Sequence, residues 1–139
     1  MVEFVIRNAK LSDIPKISHI VKERFGKENT DVKEFYNPNS IVLIAQVGRR
    51  TVGFVRVDVS DCAIVGIAVE KSFSHRGIGT ALLNSAIMLM RNMGKTKIKL
   101  NVAHANPAKR LYTRAGFFTV SISLKNGNIV ELMERNENN

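Results

Sequence analysis

The sequence is poor in cysteine: Cys62 is the only one. That excludes an intrachain disulfide framework and any metal site built from cysteines, so no metal is expected. It also fits a reducing compartment. No apolar run approaches the roughly 20 residues needed to span a bilayer. The opening Met1-Val2-Glu3-Phe4-Val5-Ile6-Arg7 lacks the long apolar region of a secretory signal. A soluble, cytoplasmic protein without a membrane partner is therefore expected. Acidic residues are the other shortage, with 12 Asp and Glu against 21 Lys and Arg, a formal charge of +9. The imbalance favours anionic partners such as a phosphorylated cofactor, nucleic acid or an acidic surface, or it simply solvates the exterior. Only Lys95, Lys97 and Lys99 form a recognisable cluster; they alternate along an expected strand and so share one face. There is no repeat, linker or low-complexity segment. At 139 residues, 45% of them hydrophobic, the chain reads as one domain over 1–139 with a real core.

What is present is a regular succession of short elements. Phe4–Arg7 reads as a first strand. Ser12 is placed to cap a helix that tolerates Pro15 in its first turn, carries Ile14, Ile17, Ile20, Val21 and Phe25 as its apolar stripe, and ends at Gly26. His19 lies beside that stripe as a packed or surface residue. Thr30–Tyr36 suggests a short second helix stopped by Asn37-Pro38. Ile41–Val47 and Val52–Val59 form a hairpin across Gly48-Arg49-Arg50-Thr51. Ala63–Val69 is an apolar, β-branched run typical of a buried strand. Thr80–Met93 fits one helix, with Ile78, Leu82, Leu89 and Met93 on its buried face and Met88, Met90 and Met93 as core filler. Lys97–Val102 is a strand, Asn106–Ala115 a short helix, and Phe117–Leu124 and Ile129–Met133 a hairpin across the type I′ signal Asn126-Gly127. The tail from Glu134 to Asn139 is expected to fray.

The chain is organised around Ser74-His75-Arg76-Gly77-Ile78-Gly79, set between the buried strand and the long helix. The first N–H groups of a helix lack intrahelical partners, the helix dipole adds partial positive charge, and glycines let the backbone approach an anion. The segment is either a pyrophosphate cradle or a set of ordinary turn residues.

Three segments in order resemble the GNAT N-acetyltransferase superfamily. They are Ile6-Arg7-Asn8-Ala9 with Asp13-Ile14; Ile67-Ala68-Val69 with Gly77-Ile78-Gly79-Thr80-Ala81-Leu82-Leu83; and Leu100-Asn101-Val102 with Asn106 and Leu111-Tyr112-Thr113-Arg114-Ala115-Gly116-Phe117. The resemblance implies an α+β fold: a mixed, mainly antiparallel sheet with helices on both faces, splayed between parallel strands 4 and 5, with acetyl-CoA in the V. By the same resemblance, Ser74, His75, Arg76, Gly77, Ile78, Gly79 and Thr80 would meet the pyrophosphate. Backbone groups of Ile67, Ala68 and Val69 would meet the pantetheine arm and the thioester carbonyl. Tyr112 would be the general acid that protonates the leaving thiolate, as a phenol near pKa 10 serving a thiol near 8.5.

The sequence departs from the family in three places. Ser74 stands where arginine or glutamine is usual, and His75 where glycine is common. Asn106 lies one residue closer to Tyr112 than usual, so it contacts pantetheine or caps the helix, with Ala105 at the expected site in the second case. No glutamate marks a base: the expected positions hold Ala63 and Asn101. Asp58, Asp61, Glu70 and His104 are the nearby alternatives to a water relay, and Cys62 is read as structural. The activity expected is direct transfer of acetyl from acetyl-CoA to a primary amine: a protein lysine, a protein N-terminus, a polyamine or another small amine. A noncatalytic acyl-CoA-binding module is the alternative, with a nucleic-acid-associated protein behind it for want of any recognition motif. A homodimer is compatible with the sequence.

Overall fold

In the computed structural model, which describes residues 3–26 and 37–137, side-chain alternation sets the sheet. The clearest instance is the fifth strand, β5 (Lys97–Ala103). Its Ile98, Leu100 and Val102 are buried, while Lys97, Lys99, Asn101 and Ala103 emerge on the other face. The remaining strands are β1 (Val5–Asn8), β2 (Ser40–Val47), β3 (Arg50–Asp58), β4 (Ala63–Val69), β6 (Phe118–Lys125) and β7 (Asn128–Asn136). They form one sheet in the order β1-β2-β3-β4-β5-β7-β6. All neighbours are antiparallel except β4 and β5. The architecture is therefore the mixed α+β sheet expected.

Helices cover the two faces. α1 (Ile14–Phe25) buries Ile17, Ile20 and Val21 against Val42, Ile44, Phe54 and Ala68 of β2, β3 and β4. α2 (Ile78–Asn92) buries Ile78, Leu82, Leu83, Ala86, Ile87 and Met90 on the opposite face, with Val55, Ile98, Leu100 and Val102. Each such side chain contributes about 1.5–3 kcal/mol relative to exposure. The short α3 (Lys109–Arg114) adds Tyr112 to this second core.

Several expectations need correction. Met88 and Met93 are exposed and Leu89 only partly buried, so of the three methionines Met90 alone is core. The helix ends at Asn92, which leaves Met93 past its last turn. Ser12 lies within a 3-10 turn, Leu11–Asp13, and does not cap α1. Asp13 holds that corner instead: its buried carboxylate accepts bonds from Arg7 (2.8 and 2.9 Å), the Lys10 N–H (2.7 Å) and the Thr51 hydroxyl (2.9 Å). The tail is ordered well past Met133. β7 pairs with β5 as far as Asn136, and the Glu137 carboxylate binds Arg135 (2.6 Å) and Arg91 (3.4 Å). The helix expected at Thr30–Tyr36 lies outside the described residues.

Candidate functional site

The parallel strands β4 and β5 meet at one residue pair, Ala63 with Lys99, beside the bond from the Lys99 N–H to the Cys62 carbonyl at 3.0 Å. Beyond it they diverge. β4 also shifts register against β3, where Val65 is the unpaired residue between Ile64 and Gly66. A bulge of this kind bends its strand and increases the local twist. The β4 edge facing the gap is left without a ladder, so its polar backbone groups need partners from elsewhere.

At the open end of the fork lies a cavity of about 660 Å³, within the size range of small-molecule sites. Of the expected donor-binding residues, Ile67, Ala68, Val69, Ser74, His75, Gly77, Gly79, Thr80 and Asn106 line it. Ile78 and Arg76 do not. Ile78 turns into the core with 1% exposure, and the Arg76 guanidinium lies 5.8 Å over the Phe73 ring. Tyr112 is also outside the lining: its ring packs edge-on to Phe117 at 6.2 Å, and the residue is 8% exposed.

The segment expected as a cradle offers backbone. His75 (φ 61°) and Gly77 (φ 83°) both take the left-handed conformation, which turns the chain into α2. Gly77 precedes the helix without a side-chain cap, and no acidic residue lies in the first turn. The earliest intrahelical bond here runs from the Ala81 N–H to the Gly77 carbonyl, leaving the N–H groups of Ile78, Gly79 and Thr80 without a bond among the described residues at the dipole's positive end. A Cβ built on Gly77 meets nothing within 4 Å, and one on Gly79 meets Leu111 Cδ2 at 3.7 Å and Val69 Cγ2 at 3.9 Å. The position is open towards the cavity and close to β4 and α3, which suits a phosphate brought against backbone.

Three arginines that sequence reasoning missed, Arg24, Arg110 and Arg114, also line the cavity. None makes an ion pair among the described residues. Arg110 and Arg114 stand four apart on α3, a spacing that a helical reading could have used. Arg24 comes from the end of α1, and no local pattern points to it. The cavity is therefore positively charged, and the backbone of the 74–80 segment opens into it.

Asn106 forms the turn that leads into α3, whose cap position is Ala108. Its Oδ1 accepts the Ala108 N–H at 2.9 Å, its carbonyl accepts the Lys109 N–H at 3.1 Å, and α3 starts three residues later than the expected Asn106. It lines the cavity all the same, and Ala105 does not. Burial alone pushes the Tyr112 phenol up to about 12, above the value near 10 expected for a free donor. Its hydroxyl makes no hydrogen bond among the described residues.

Three of the four candidate bases, Asp58, Glu70 and His104, are engaged elsewhere, while Asp61 is exposed and, among the described residues, only its backbone N–H is bonded, to Asp58. Asp58 accepts the Ser60 hydroxyl (2.8 Å) and the Asp61 N–H (3.1 Å), bonds that lower its carboxyl below the ordinary range. Glu70 is buried, which pushes it up, but bonds from Arg50 (2.5 Å) and Lys16 (3.2 Å) leave it net lowered. His104 contacts Glu131 through Nδ1 at 2.7 Å. Glu131 also takes Lys109 (2.8 Å) and Thr119 (2.6 Å), and Lys109 followed by Thr119 and His104 hold its carboxyl down at about 2. That carboxylate, on β7, ties α3 to β6 and to the turn that follows β5.

Comparison with known proteins gives a consistent picture. The model of the acetyltransferase (GNAT) family matches residues 9–117. An N-alpha-acetyltransferase from Sulfurisphaera tokodaii is 29% identical over 139 residues, covering 86% of this chain and 83% of that protein. A mycothiol acetyltransferase from Clavibacter sepedonicus is 27% identical over 114 residues, covering 78% of this chain. The match spans only 38% of that enzyme's own length. The PaiA N-acetyltransferase from Thermoplasma acidophilum, solved in complex with coenzyme A, superposes with a TM-score of 0.77 at 16% identity. That alignment covers 98% of this chain and 100% of the other, a likeness of fold.

Proposed function

The chain belongs to the acetyltransferase (GNAT) family, and on that premise we propose that it transfers the acetyl group of acetyl-CoA directly to a primary amine. The observation that carries this reading is the fork: parallel strands joined by a single bridge, opening onto a positive cavity that ends at an uncapped helix N-terminus. The residues present fit the donor. Backbone N–H groups from His75 to Thr80 would hold the pyrophosphate, and Arg24, Arg110 and Arg114 would add charge around it. The unpaired β4 edge from Val65 to Val69 would pair with the pantetheine amides, with Asn106 on the opposite wall. Acetyl-CoA supplies the acetyl group as an activated thioester.

Tyr112 is assigned to the departing sulfur. A phenol at about 12 stays protonated at every working pH, so it always presents a donor. Full transfer to a free thiolate near 8.5 is uphill by about 3.5 pKa units, or about 5 kcal/mol. Tyr112 therefore acts chiefly as a hydrogen-bond donor to the charge growing on sulfur, and solvent completes the protonation. No carboxylate stands at Ala63 or Asn101, so the acceptor ammonium loses its proton to water before attack. Calorimetry with acetyl-CoA, followed by thiol release across amine classes, tests the reading. Stoichiometric binding with amine-dependent thiol release is expected. Binding without release by any amine would leave a noncatalytic acyl-CoA-binding module.

A further inference from the structure

Donor binding makes no use of the outward row of β5. Ile98, Leu100 and Val102 point into the α2 core, so Lys97, Lys99 and Asn101 stand on the opposite face. There the buried stripe of α1 packs on residues of β2, β3 and β4. With the cradle, α2 and α3 on the donor side, this uncovered stretch is where an acceptor amine can approach the fork.

Lys99 occupies the crotch of the fork, as the β5 partner in the single β4–β5 bridge. It is exposed, and its ammonium has no ion pair or hydrogen bond among the described residues. Glu134 is its directly opposite neighbour on β7, but that carboxylate turns to Lys97 at 3.5 Å. Asn101 stands two residues further along the same face, about 6.6 Å away by strand geometry. The nearest neighbours of Lys99 along this face, Ala63 and Asn101, are therefore uncharged. The next in the row, Asp58 opposite Ala63 on β3, has its carboxylate held by the Ser60 hydroxyl and the Asp61 N–H. That leaves Lys99 as the unpaired charge at the crotch among the described residues.

That arrangement repels polyamines and lysine-rich segments. It attracts an acceptor that carries its own negative charge near the amine, and the excess of 21 basic over 12 acidic residues steers the same way. A neighbouring cation also lowers an amine's proton affinity, which helps supply the free base where no carboxylate removes the proton. Granting the transferase reading, we infer that Lys99 selects a small acceptor whose amine has a carboxylate on the same or the next carbon, that is, an amino acid.

The test compares kcat/KM for an amino acid, its carboxamide and the matching alkylamine, each normalised to its neutral-amine fraction, for the wild type, Lys99→Met and Lys99→Arg. The wild type should favour the carboxylate at least tenfold, Lys99→Met should bring the ratio near one, and Lys99→Arg should restore most of it, with acetyl-CoA affinity constant throughout. A ratio that Lys99→Met leaves unchanged, or a wild-type preference for the amide or alkylamine, overturns the inference. So does a peptide with an acidic second residue that exceeds every free amino acid. If no amine releases thiol, the transferase reading fails by itself, and Lys99 is then judged by calorimetry of amino acid and carboxamide with the coenzyme A complex. Equal affinities, or a difference that survives Lys99→Met, would refute the role of Lys99.

Discussion

Replacing Tyr112 with phenylalanine separates catalysis from packing, because the two roles respond to pH differently. The residue is 8% exposed, and burial alone raises the phenol from 10.0 to about 12. The unfolded chain releases this proton near 10 and the folded chain near 12. The contribution is therefore intact below pH 10 and is lost as pH rises from 10 to 12. Two units at 1.36 kcal/mol each give about 2.7 kcal/mol in all, of which about 1.0 kcal/mol falls between pH 10 and 11. Lysine titration affects wild type and variant alike, so urea melts of both at pH 8, 10 and 11 isolate the tyrosine. The wild type should lose about 1.0 kcal/mol more than Tyr112→Phe from pH 10 to 11. At pH 8 the two should differ by less than about 1 kcal/mol, since the hydroxyl has no hydrogen-bond partner to lose. Kinetically the variant should keep its acetyl-CoA affinity and lose kcat by roughly 10²–10³, the scale for removing one preorganised donor. Wild-type kcat/KM should climb with pH towards about 9, following the neutral fraction of the amine, with no decline from Tyr112 ionisation in that range. Equal kcat in wild type and variant would reduce Tyr112 to a packing residue and place the donor elsewhere.

Gly79→Val should weaken acetyl-CoA binding by at least tenfold in calorimetry while the protein stays folded. Its Cβ meets only ordinary contacts at 3.7 and 3.9 Å, so the added methyls intrude on the cavity and not on the core. His75→Gly should keep acetyl-CoA affinity within a few-fold and leave Tm level or higher, because relief of a left-handed histidine, about 1–2 kcal/mol, offsets glycine's added chain entropy. A tenfold loss of affinity would show that the imidazole itself grips the phosphates. Asp13→Asn should cost about 2.4 kcal/mol near neutral pH. The bond from Arg7 above all holds that carboxyl down at about 2, against 3.8 normally, so its contribution is present above pH 3.8 and disappears as pH falls towards 2. Urea melts of both proteins should accordingly converge by pH 2, and a constant gap would refute the linkage.

Much of the frame is written locally. The alternation of β5, the Asn126-Gly127 turn with both residues at positive φ, and the Gly26 stop of α1 each follow from a few neighbouring residues. What stayed hidden depends on partners distant in sequence. β7 outruns its expected end because Glu137 finds Arg91 and Arg135, and Asp13 leaves ordinary capping for Arg7 and Thr51. Arg24 reaches the cavity only because α1 crosses the face of β4. The rise in the Tyr112 pKa comes wholly from its tertiary packing. Residue type and spacing named a phenol here, but its acidity depends on what covers it.

The same distinction explains why the departures at Ser74 and His75 are compatible with a phosphate site. What the site asks of that loop is a conformation: two left-handed residues that swing the chain so that α2 begins with its N–H groups facing the cavity. Glycine supplies that conformation freely at position 77. At 75 a histidine adopts it at a cost of about 1–2 kcal/mol, which the start of α2, anchored in the core by Ile78 and Leu82, can hold in place. The Ser74 hydroxyl turns back to the Lys71 carbonyl at 2.7 Å and steadies the loop from behind. The missing arginine's charge has a replacement from other elements, since Arg24 stands on α1 and Arg110 and Arg114 on α3 around the same cavity. On the proposed reading, anion binding would be divided between a backbone that supplies geometry and arginines that supply charge, and only the first part has to reside in the loop.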